Sequence, residues 1–481
     1  MRNMCLSVIL SVMFVMLVAC GGEAPRVNYV YDAQYYILTY PGEPMRAYEC
    51  ETAHLDEVYE SYIEHLDEQQ CEAELPPGFY NFFADALLFI ETIEAVHPIF
   101  ILDGMLPEYY EAFRDEFLSK AAVPITRSDF VLAMQRFSTV LRDGHMGMGV
   151  YTDRRLGGRF SHGGGIHANF VMRDGRFFLD SEPDVELLKI AGVPIDDIVY
   201  QIDRYFFFEN QLARNHHMPS LLGNEVMWRR AGGNTSRWTV ELTLLENNVE
   251  ILRNSTIFGQ ATGASWPQFN YIIRFEVLEE HDIFHIALRQ FIDGDHITEV
   301  VNAIKEAMEA GIRHFIVDLR GNRGGNSWAG QRLLEAMGIT LPSFGAVRRA
   351  SEMAMEQRGV SFPPDADRIV FQPFAASARN PNNVHVSVLT DVYTFSSATM
   401  MAVWVQDGGF GSVIGEPSSN SPSAFGDMLN FELPIARLGV NVSYTRFLRP
   451  NPDADQETLW PDIIMPARDA FYVAVEYLRN R

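Results

Sequence analysis

The sequence has little positive charge for its length. It carries 38 Lys and Arg residues against 63 Asp and Glu residues, which gives a formal net charge of -25 over 481 residues. A protein that binds nucleic acid needs a basic surface to neutralise phosphates. We therefore exclude nucleic acid as an expected partner and attribute the acidity to solubility.

Cysteine is also scarce, with four residues in the chain and no CxxC pair among them. This excludes the common redox motif and a cysteine-based zinc site. The histidines His162, His167, His216 and His217 have neither an HExxH frame nor a neighbouring Cys pair. We interpret them as solvent-exposed or packing residues, and no metal or organic cofactor is expected.

The N-terminus has the features of an export signal. Arg2 is followed by an unbroken apolar run at residues 6–19, which is shorter than the roughly 20 residues needed to span a membrane and typical of a signal peptide. The run ends at Cys20 in the segment LVACGG, which resembles the bacterial lipobox, where cleavage leaves a lipidated Cys as the first residue. The alternative is an ordinary secretory signal with a chance Cys. The sequence thus predicts an exported protein, lipid-anchored in the bacterial cell envelope.

If the signal is removed at Cys20, two other cysteines remain in the mature chain. Cys50 and Cys71 would then lie in an exported region, where disulfides form and persist. They either form a disulfide bond or stay as two free thiols, and the spacing alone does not decide between these states.

The body of the chain divides by its pattern of apolar residues. Helical spacing in 79–97, 107–120 and 127–142 predicts a small helical domain, with Thr126 as a helix start. A strand, a Gly turn and a helix near Leu187–Ile195 suggest a degenerate PDZ-like module in a β-rich region, although the period does not establish it. The predicted regions are a signal peptide (1–19), an anchored N-terminal segment (20–75), a helical domain (76–149), a β-rich domain (150–268) and an α/β catalytic domain (269–481).

The last region alternates strands with helices, which predicts a βαβ sheet. In such sheets functional residues lie at the carboxyl ends of the strands. Ser396 follows the predicted strand Val384–Leu389 and begins an apolar helical segment. The free N–H groups of a helix start favour the negative charge that develops in acyl transfer. The alternative is that Ser396 is a simple helix N-cap.

Two further segments carry candidate residues. The sequence LRDGH ends at His145, which could act as a base or could simply be a packing residue. The segment DLRGNRGG, residues 318–325, closes a predicted strand, and its paired glycines permit either close approach of a ligand or a tight turn. It is neither a P-loop nor a dinucleotide-binding fingerprint.

Taken together, the LRDGH, DLRGNRGG and TFSSA segments, with VIGEP at 413–417, resemble peptidase family S41. That family contains the C-terminal processing proteases and the tricorn core protease. The resemblance covers roughly residues 80–465 and implies a ClpP/crotonase-like α/β catalytic core. It implies Ser396 as the nucleophile, His145 as the base, and the main-chain N–H groups of Ser397 and Gly324 as the oxyanion hole.

Several positions depart from the family pattern. The Lys of the processing-protease branch corresponds to Ser421, and no Lys occurs between Glu306 and Arg481, which leaves a Ser–His mechanism rather than a Ser–Lys one. Other family residues are replaced by Arg323, Thr399 and Gly144, and a late Glu has only Asp455 or Glu457 as uncertain counterparts.

The sequence therefore predicts a serine endopeptidase that cleaves peptide or protein substrates through an acyl-enzyme. The alternative is an inactive peptidase-like protein of the envelope that binds peptides or apolar ligands without cleaving them, because a fold does not fix a function. An esterase is disfavoured because the GxSxG elbow is absent.

Overall fold

A computed structural model of the chain describes residues 79–146, 151–152, 165–166, 170–234, 236, 238–257 and 269–481. The predicted signal peptide, Cys20, Cys50, Cys71, His162 and His167 lie outside the described residues. Within these described ranges no helix is both long and apolar enough to cross a membrane.

The described part of the chain contains eleven α-helices and nineteen strands. The helices are α1 Phe83–Val96, α2 Tyr110–Ala121, α3 Arg127–Ser138, α4 Ile195–Tyr205, α5 Gln211–Leu221, α6 Glu225–Arg230, α7 Asp295–Glu309, α8 Ser327–Ala336, α9 Glu352–Arg358, α10 Ser397–Gly408 and α11 Ala470–Arg479. The strands are β1 Phe79–Tyr80, β2 Ile125–Thr126, β3 Tyr151–Thr152, β4 Phe170–Arg173, β5 Arg176–Leu179, β6 Glu182–Ile190, β7 Val193–Pro194, β8 Thr239–Glu246, β9 Val249–Thr256, β10 Ile273–Leu278, β11 Ile283–Leu288, β12 His314–Asp318, β13 Gly345–Arg349, β14 Arg368–Phe371, β15 His385–Thr390, β16 Gly411–Gly415, β17 Phe425–Leu433, β18 Leu438–Leu448 and β19 Ile463–Ile464.

The sheet that precedes Ser396 in the chain has the order β10-β11-β12-β15-β16-β19. Its strands run parallel except for the edge strand β10, which is antiparallel to β11. Alternate side chains along β12 enter two cores, because successive residues of a strand point to opposite faces. Phe315 and Val317 pack with helices α7, α8 and α10, whereas Ile316 packs with α11. The predicted α/β core with a βαβ sheet is therefore present.

The N-terminal helices do not form a core of their own. Helices α1, α2 and α3 pack on the β17–β18 hairpin, and the shared core contains residues such as Phe89, Phe137, Phe431 and Val442. The hairpin belongs to a second sheet with the order β14-β13-β18-β17. The predicted boundary at residue 149 therefore lies between two parts of one core. The helices before it and the β17–β18 hairpin after it bury their apolar side chains against each other.

The middle region has its own sheet and its own core. Strands β4, β5, β6, β8 and β9 form one sheet, with β7 paired to β6, and helices α4, α5 and α6 cover it with residues such as Ile198, Met218 and Trp228. Strand β6, the turn at Ala191 and Gly192, and helix α4 follow one another as the sequence predicts.

Local sequence signals explain several element ends. Thr126 caps α3, since its hydroxyl oxygen accepts a hydrogen bond from the Asp129 N–H at 3.1 Å, and this confirms the predicted helix start. Asn247 and Asn248 both have positive φ, 49° and 61°, which is the conformation of the tight turn that joins β8 to β9.

Candidate active site

Ser396 lies on a sharp turn between β15 and α10, at the carboxyl end of the central strand. Its φ of 55° and ψ of -124° place it in a sparsely populated backbone region. Asp391 holds the start of this turn, because its Oδ1 accepts hydrogen bonds from the N–H groups of Tyr393 at 3.0 Å and of Gly321 at 2.9 Å. Burial raises the pKa of Asp391 to about 6.

His145 reaches Ser396 from a segment far away in the sequence. Its Nε2 lies 3.1 Å from Ser396 Oγ, within hydrogen-bond distance, and its ring packs against Phe395 at a centroid separation of 4.9 Å. The segment turns sharply after α3, with Arg142 at a φ of 52°. The structure thus brings together the two side chains that the sequence proposes as nucleophile and base.

Asp143 fixes the main chain that carries His145. Its Oδ1 accepts the His145 N–H at 2.8 Å, and its Oδ2 lies 3.2 Å from His97 Nε2. His97 Nδ1 accepts a hydrogen bond from the Ile99 N–H, so Nε2 must carry the proton and donate to Asp143. Burial raises the pKa of Asp143, but its bond with His97 and the nearby imidazoles outweigh burial and lower the pKa to about 2.

Gly324 lies directly against the nucleophile turn. Its φ is 90°, and an added Cβ would come within 2.7 Å of Phe395 O, Ser396 Cβ and Ser397 N. Its N–H donates to Asn322 Oδ1 at 2.8 Å. In this structure the Gly324 N–H is thus engaged by Asn322, and its expected role as an oxyanion donor stays a prediction. Gly324 also permits close approach of two loops.

Ser397 begins α10. Its hydroxyl donates to Gly325 O at 2.6 Å, which joins the glycine loop to the helix. The N–H groups in the first turn of a helix lack partners within that helix and carry partial positive charge. The Ser397 N–H therefore lies in the first turn of α10, next to Ser396, and its expected role as an oxyanion donor stays a prediction.

The strand end below the glycine loop is held by buried charges. Asp318 is the last residue of β12, and its Oδ2 lies 2.8 Å from Arg289 Nη2 and 2.7 Å from Arg320 Nη2. Burial acts to raise the pKa of Asp318, but the two guanidinium groups lower it well below its ordinary value. The residues before the glycine pair are thus fixed by ion pairs that are screened from solvent.

A carboxylate that sequence reasoning missed also lies at the site. Glu209 Oε1 is 3.9 Å from His145 Nδ1, and both side chains are under 10% exposed, at 7% and 9%. Glu209 Oε2 accepts hydrogen bonds from Asn420 Nδ2 at 2.5 Å and from the Ser421 N–H at 2.9 Å. Burial raises the pKa of Glu209, while His145 and these donors act to lower it.

The other candidates for a third catalytic residue have different partners. Asp455 accepts a hydrogen bond from Ser423 Oγ at 2.6 Å. Glu457 is exposed, and its main-chain oxygen accepts bonds from Ser421 Oγ and Asn210 Nδ2. Ser421 lies at the site through its N–H bond with Glu209. The resemblance to family S41 leads one to expect a Lys at this position, and a hydroxyl cannot serve as that base.

His216 and His217 pack beside the nucleophile loop. The His216 ring meets Tyr393 edge-on at a centroid separation of 4.4 Å. Burial lowers the pKa of His217 to about 4, so this ring is neutral at physiological pH. These contacts agree with the packing role that the sequence suggests.

Comparisons with known proteins give a family match and similar folds. Residues 282–465 match the model of peptidase family S41, and none of the curated proteins matches the sequence. Mature CPAF is similar in structure, with a TM-score of 0.53 and 14% identity over 83% of this chain and 95% of that chain. Mature CPAF complexed with lactacystin gives 0.52 and 14% identity over 83% and 97%. The photosystem II D1 C-terminal processing protease gives 0.40 and 14% identity over 82% and 97%. The two likenesses above 0.5 show a shared fold.

Proposed function

Because residues 282–465 match the model of peptidase family S41, we propose that this protein is a serine endopeptidase with Ser396 as nucleophile and His145 as general base. The observation that carries the proposal is the 3.1 Å separation between Ser396 Oγ and His145 Nε2. This distance is within the range required for proton transfer between a nucleophile and its base.

The proposed reaction has two stages. His145 Nε2 takes the hydroxyl proton while Ser396 Oγ bonds to the carbonyl carbon of the scissile peptide, and the carbonyl oxygen becomes an oxyanion. The Ser397 N–H and the start of α10 stabilise that charge. The protonated imidazole then donates its proton to the leaving amine, the C–N bond breaks, and an acyl-enzyme remains. Water, deprotonated by His145, then attacks the acyl carbon, the ester C–O bond breaks, and the imidazolium returns the proton to Ser396 Oγ.

The first experiment separates an activated serine from an inert one. A fluorophosphonate probe should label wild type and leave Ser396→Ala unlabelled. His145→Ala should lose on the order of 10³-fold or more in kcat on a peptide pool, since nucleophile and base act as a unit. His296→Ala is the matched control, because His296 is exposed on the first turn of α7, and it should keep wild-type turnover.

Two results would change the assignment. Normal turnover in His145→Ala together with an inactive Ser396→Ala would mean that another group is the base. A wild-type protein that neither reacts with the probe nor cleaves any peptide would favour the rival function, a peptidase-like binding protein. Substrates blocked at both termini test the endopeptidase assignment, because an exopeptidase would leave them uncut.

We further propose that the chain is exported and lipid-anchored at Cys20. The support is the apolar run at residues 6–19 followed by the LVACGG segment. Cys20→Ser should release the protein from membranes or leave the signal uncleaved, as measured by detergent partitioning and by the mass of the mature chain. Unchanged partitioning with normal cleavage would refute the anchor.

A further inference from the structure

The His145 ring uses only one of its nitrogens on Ser396. The other, Nδ1, is buried and has no hydrogen-bond partner. For Nε2 to accept the Ser396 proton, the neutral ring must carry its own proton on Nδ1. A group that faces Nδ1 therefore decides whether the imidazole is in the productive tautomer.

Among the described residues, two carboxylates lie within 4 Å of Nδ1, Asp143 Oδ1 at 3.7 Å and Glu209 Oε1 at 3.9 Å. Both oxygens of Asp143 are already used, one by the His145 N–H and the other by His97. Glu209 differs, because both of its hydrogen bonds from Asn420 and Ser421 fall on Oε2. Its Oε1 is left facing the imidazole.

The chain also makes room for this carboxylate. A Cβ added at Gly144, the residue before His145, would lie 2.7 Å from Glu209 Oε1 and 3.0 Å from Glu209 Cγ. Real Cβ atoms essentially never approach another heavy atom closer than 3.0 Å. Any side chain at position 144 would therefore displace Glu209 from its place beside the ring.

Glu209 is connected to the nucleophile as well. The Asn420 side chain donates to Glu209 Oε2 and, through its Oδ1, accepts the Ser396 N–H at 2.6 Å. One carboxylate therefore lies 3.9 Å from the base and reaches the main chain of the nucleophile through a single buried amide. Asn210, the next residue, fixes the segment by donating to Ser418 O at 3.1 Å and Glu457 O at 3.2 Å.

We propose that Glu209, on the connection between α4 and α5, is the positioning residue of the Ser396–His145 pair, a role that rests on the proposed function. It holds the proton on His145 Nδ1, and it stabilises the imidazolium that forms when Ser396 attacks. Asn420 transmits its position to Ser396. The 3.9 Å separation closes when the ring becomes charged, since catalytic contacts tighten on substrate binding.

Activity measurements on Glu209→Gln test this role, because the substitution removes the charge and keeps the size. We expect kcat to fall about 100-fold with KM within about twofold of wild type, and Glu209→Asp to recover part of the loss because it restores the charge. Glu432→Gln, the same substitution at an exposed position of β17, should leave both constants unchanged.

The pH profile gives a readout that a purely structural residue would not change. The charged groups near the ring are Asp143 and Glu209, while Arg446 and His97 face those two carboxylates. Removing the Glu209 charge disfavours the protonated imidazole, so the acidic limb of kcat/KM should move to lower pH. A second variant, Gly144→Ala, should lower kcat in wild type and have little further effect in Glu209→Ala, because both changes break one contact.

A spectroscopic arm keeps the test independent of turnover. In ¹⁵N NMR spectra of the full chain, assigned with His145→Ala, the wild-type ring should be the Nδ1–H tautomer, and Glu209→Gln should give a mixture. If the wild-type protein does not react with the fluorophosphonate, the peptidase function is refuted. A tautomer shift in Glu209→Gln would still support the interaction between Glu209 and His145. Unchanged kcat, pH profile and tautomer in Glu209→Gln would overturn the role of Glu209. Loss of activity in Glu457→Gln with a normal Glu209→Gln would do so as well.

Discussion

Adding one methyl group at Gly324 tests how closely the glycine loop and the nucleophile turn must approach. The Cβ of Gly324→Ala would lie 2.7 Å from three atoms of the turn, and ordinary contacts begin at 3.4 Å. The turn must therefore retreat by about 0.7 Å, since two of the three atoms are main chain and the third is Ser396 Cβ. No flexible side chain can absorb the shift.

The cost has two parts that can be measured separately. A φ of 90° is unfavourable for Ala, which we expect to lower the free energy of unfolding by roughly 1–3 kcal/mol. A displacement approaching 1 Å at a reacting atom costs on the order of 10²-fold in rate. We therefore expect fluorophosphonate labelling of Ser396 to slow by about that factor while the protein stays folded.

The matched control is Gly359→Ala. Gly359 also has a positive φ, 63°, but an added Cβ there would meet nothing within 4 Å. It should lose about 1 kcal/mol of stability and no labelling rate. Labelling is followed by intact mass and stability by denaturant unfolding. A folded Gly324→Ala that labels within about threefold of wild type would show that the two loops need not be in contact.

Two further predictions concern buried charges away from the reacting atoms. Asp318→Asn should lower the free energy of unfolding by about 3–5 kcal/mol, because it leaves the paired Arg289 and Arg320 buried without their counter-charge; a loss below about 1 kcal/mol in denaturant titrations would refute this. Burial raises the pKa of Asp85 from 3.8 to about 7, so the native state binds its proton more tightly than the unfolded state. The resulting stability is complete below about pH 4 and lost as the pH rises through 7. A fall in unfolding free energy between pH 5 and 8 in wild type but not in Asp85→Asn would confirm it.

The sequence predicts elements whose signals are local. The three N-terminal helices follow from the spacing of their apolar residues, and Thr126 marks the start of α3 because its cap bond spans three residues. The strand before Ser396 and the helix after it are visible for the same reason. The sequence does not predict the packing of the β17–β18 hairpin. Alternate residues of β17 are buried, but nothing in the segment indicates which helices the hairpin will cover.

The third residue of the site could not be predicted from local signals. Glu209 has no motif around it, and its position depends on the docking of the α4–α5 connection through Asn210. Counting along the family pattern leads instead to Asp455 and Glu457, which have other partners. The sequence also does not indicate that the Gly324 N–H donates a hydrogen bond to Asn322 Oδ1, because the two groups meet only in the folded turn.

The shared core between the N-terminal helices and the β17–β18 hairpin affects how this protein acquires activity. Ser396 lies next to the core of the parallel sheet. His145 lies between Leu141 and Met146 in the sequence, and both belong to the core shared by the helices and the hairpin. Glu209 lies next to the core of the middle region. The three side chains of the site therefore come from three different cores. Turnover therefore depends on how these cores pack on one another, and we expect mild denaturant to abolish it before circular dichroism detects any loss of helix. A newly made chain would stay inactive until residues near its C-terminus had completed the surface on which His145 rests.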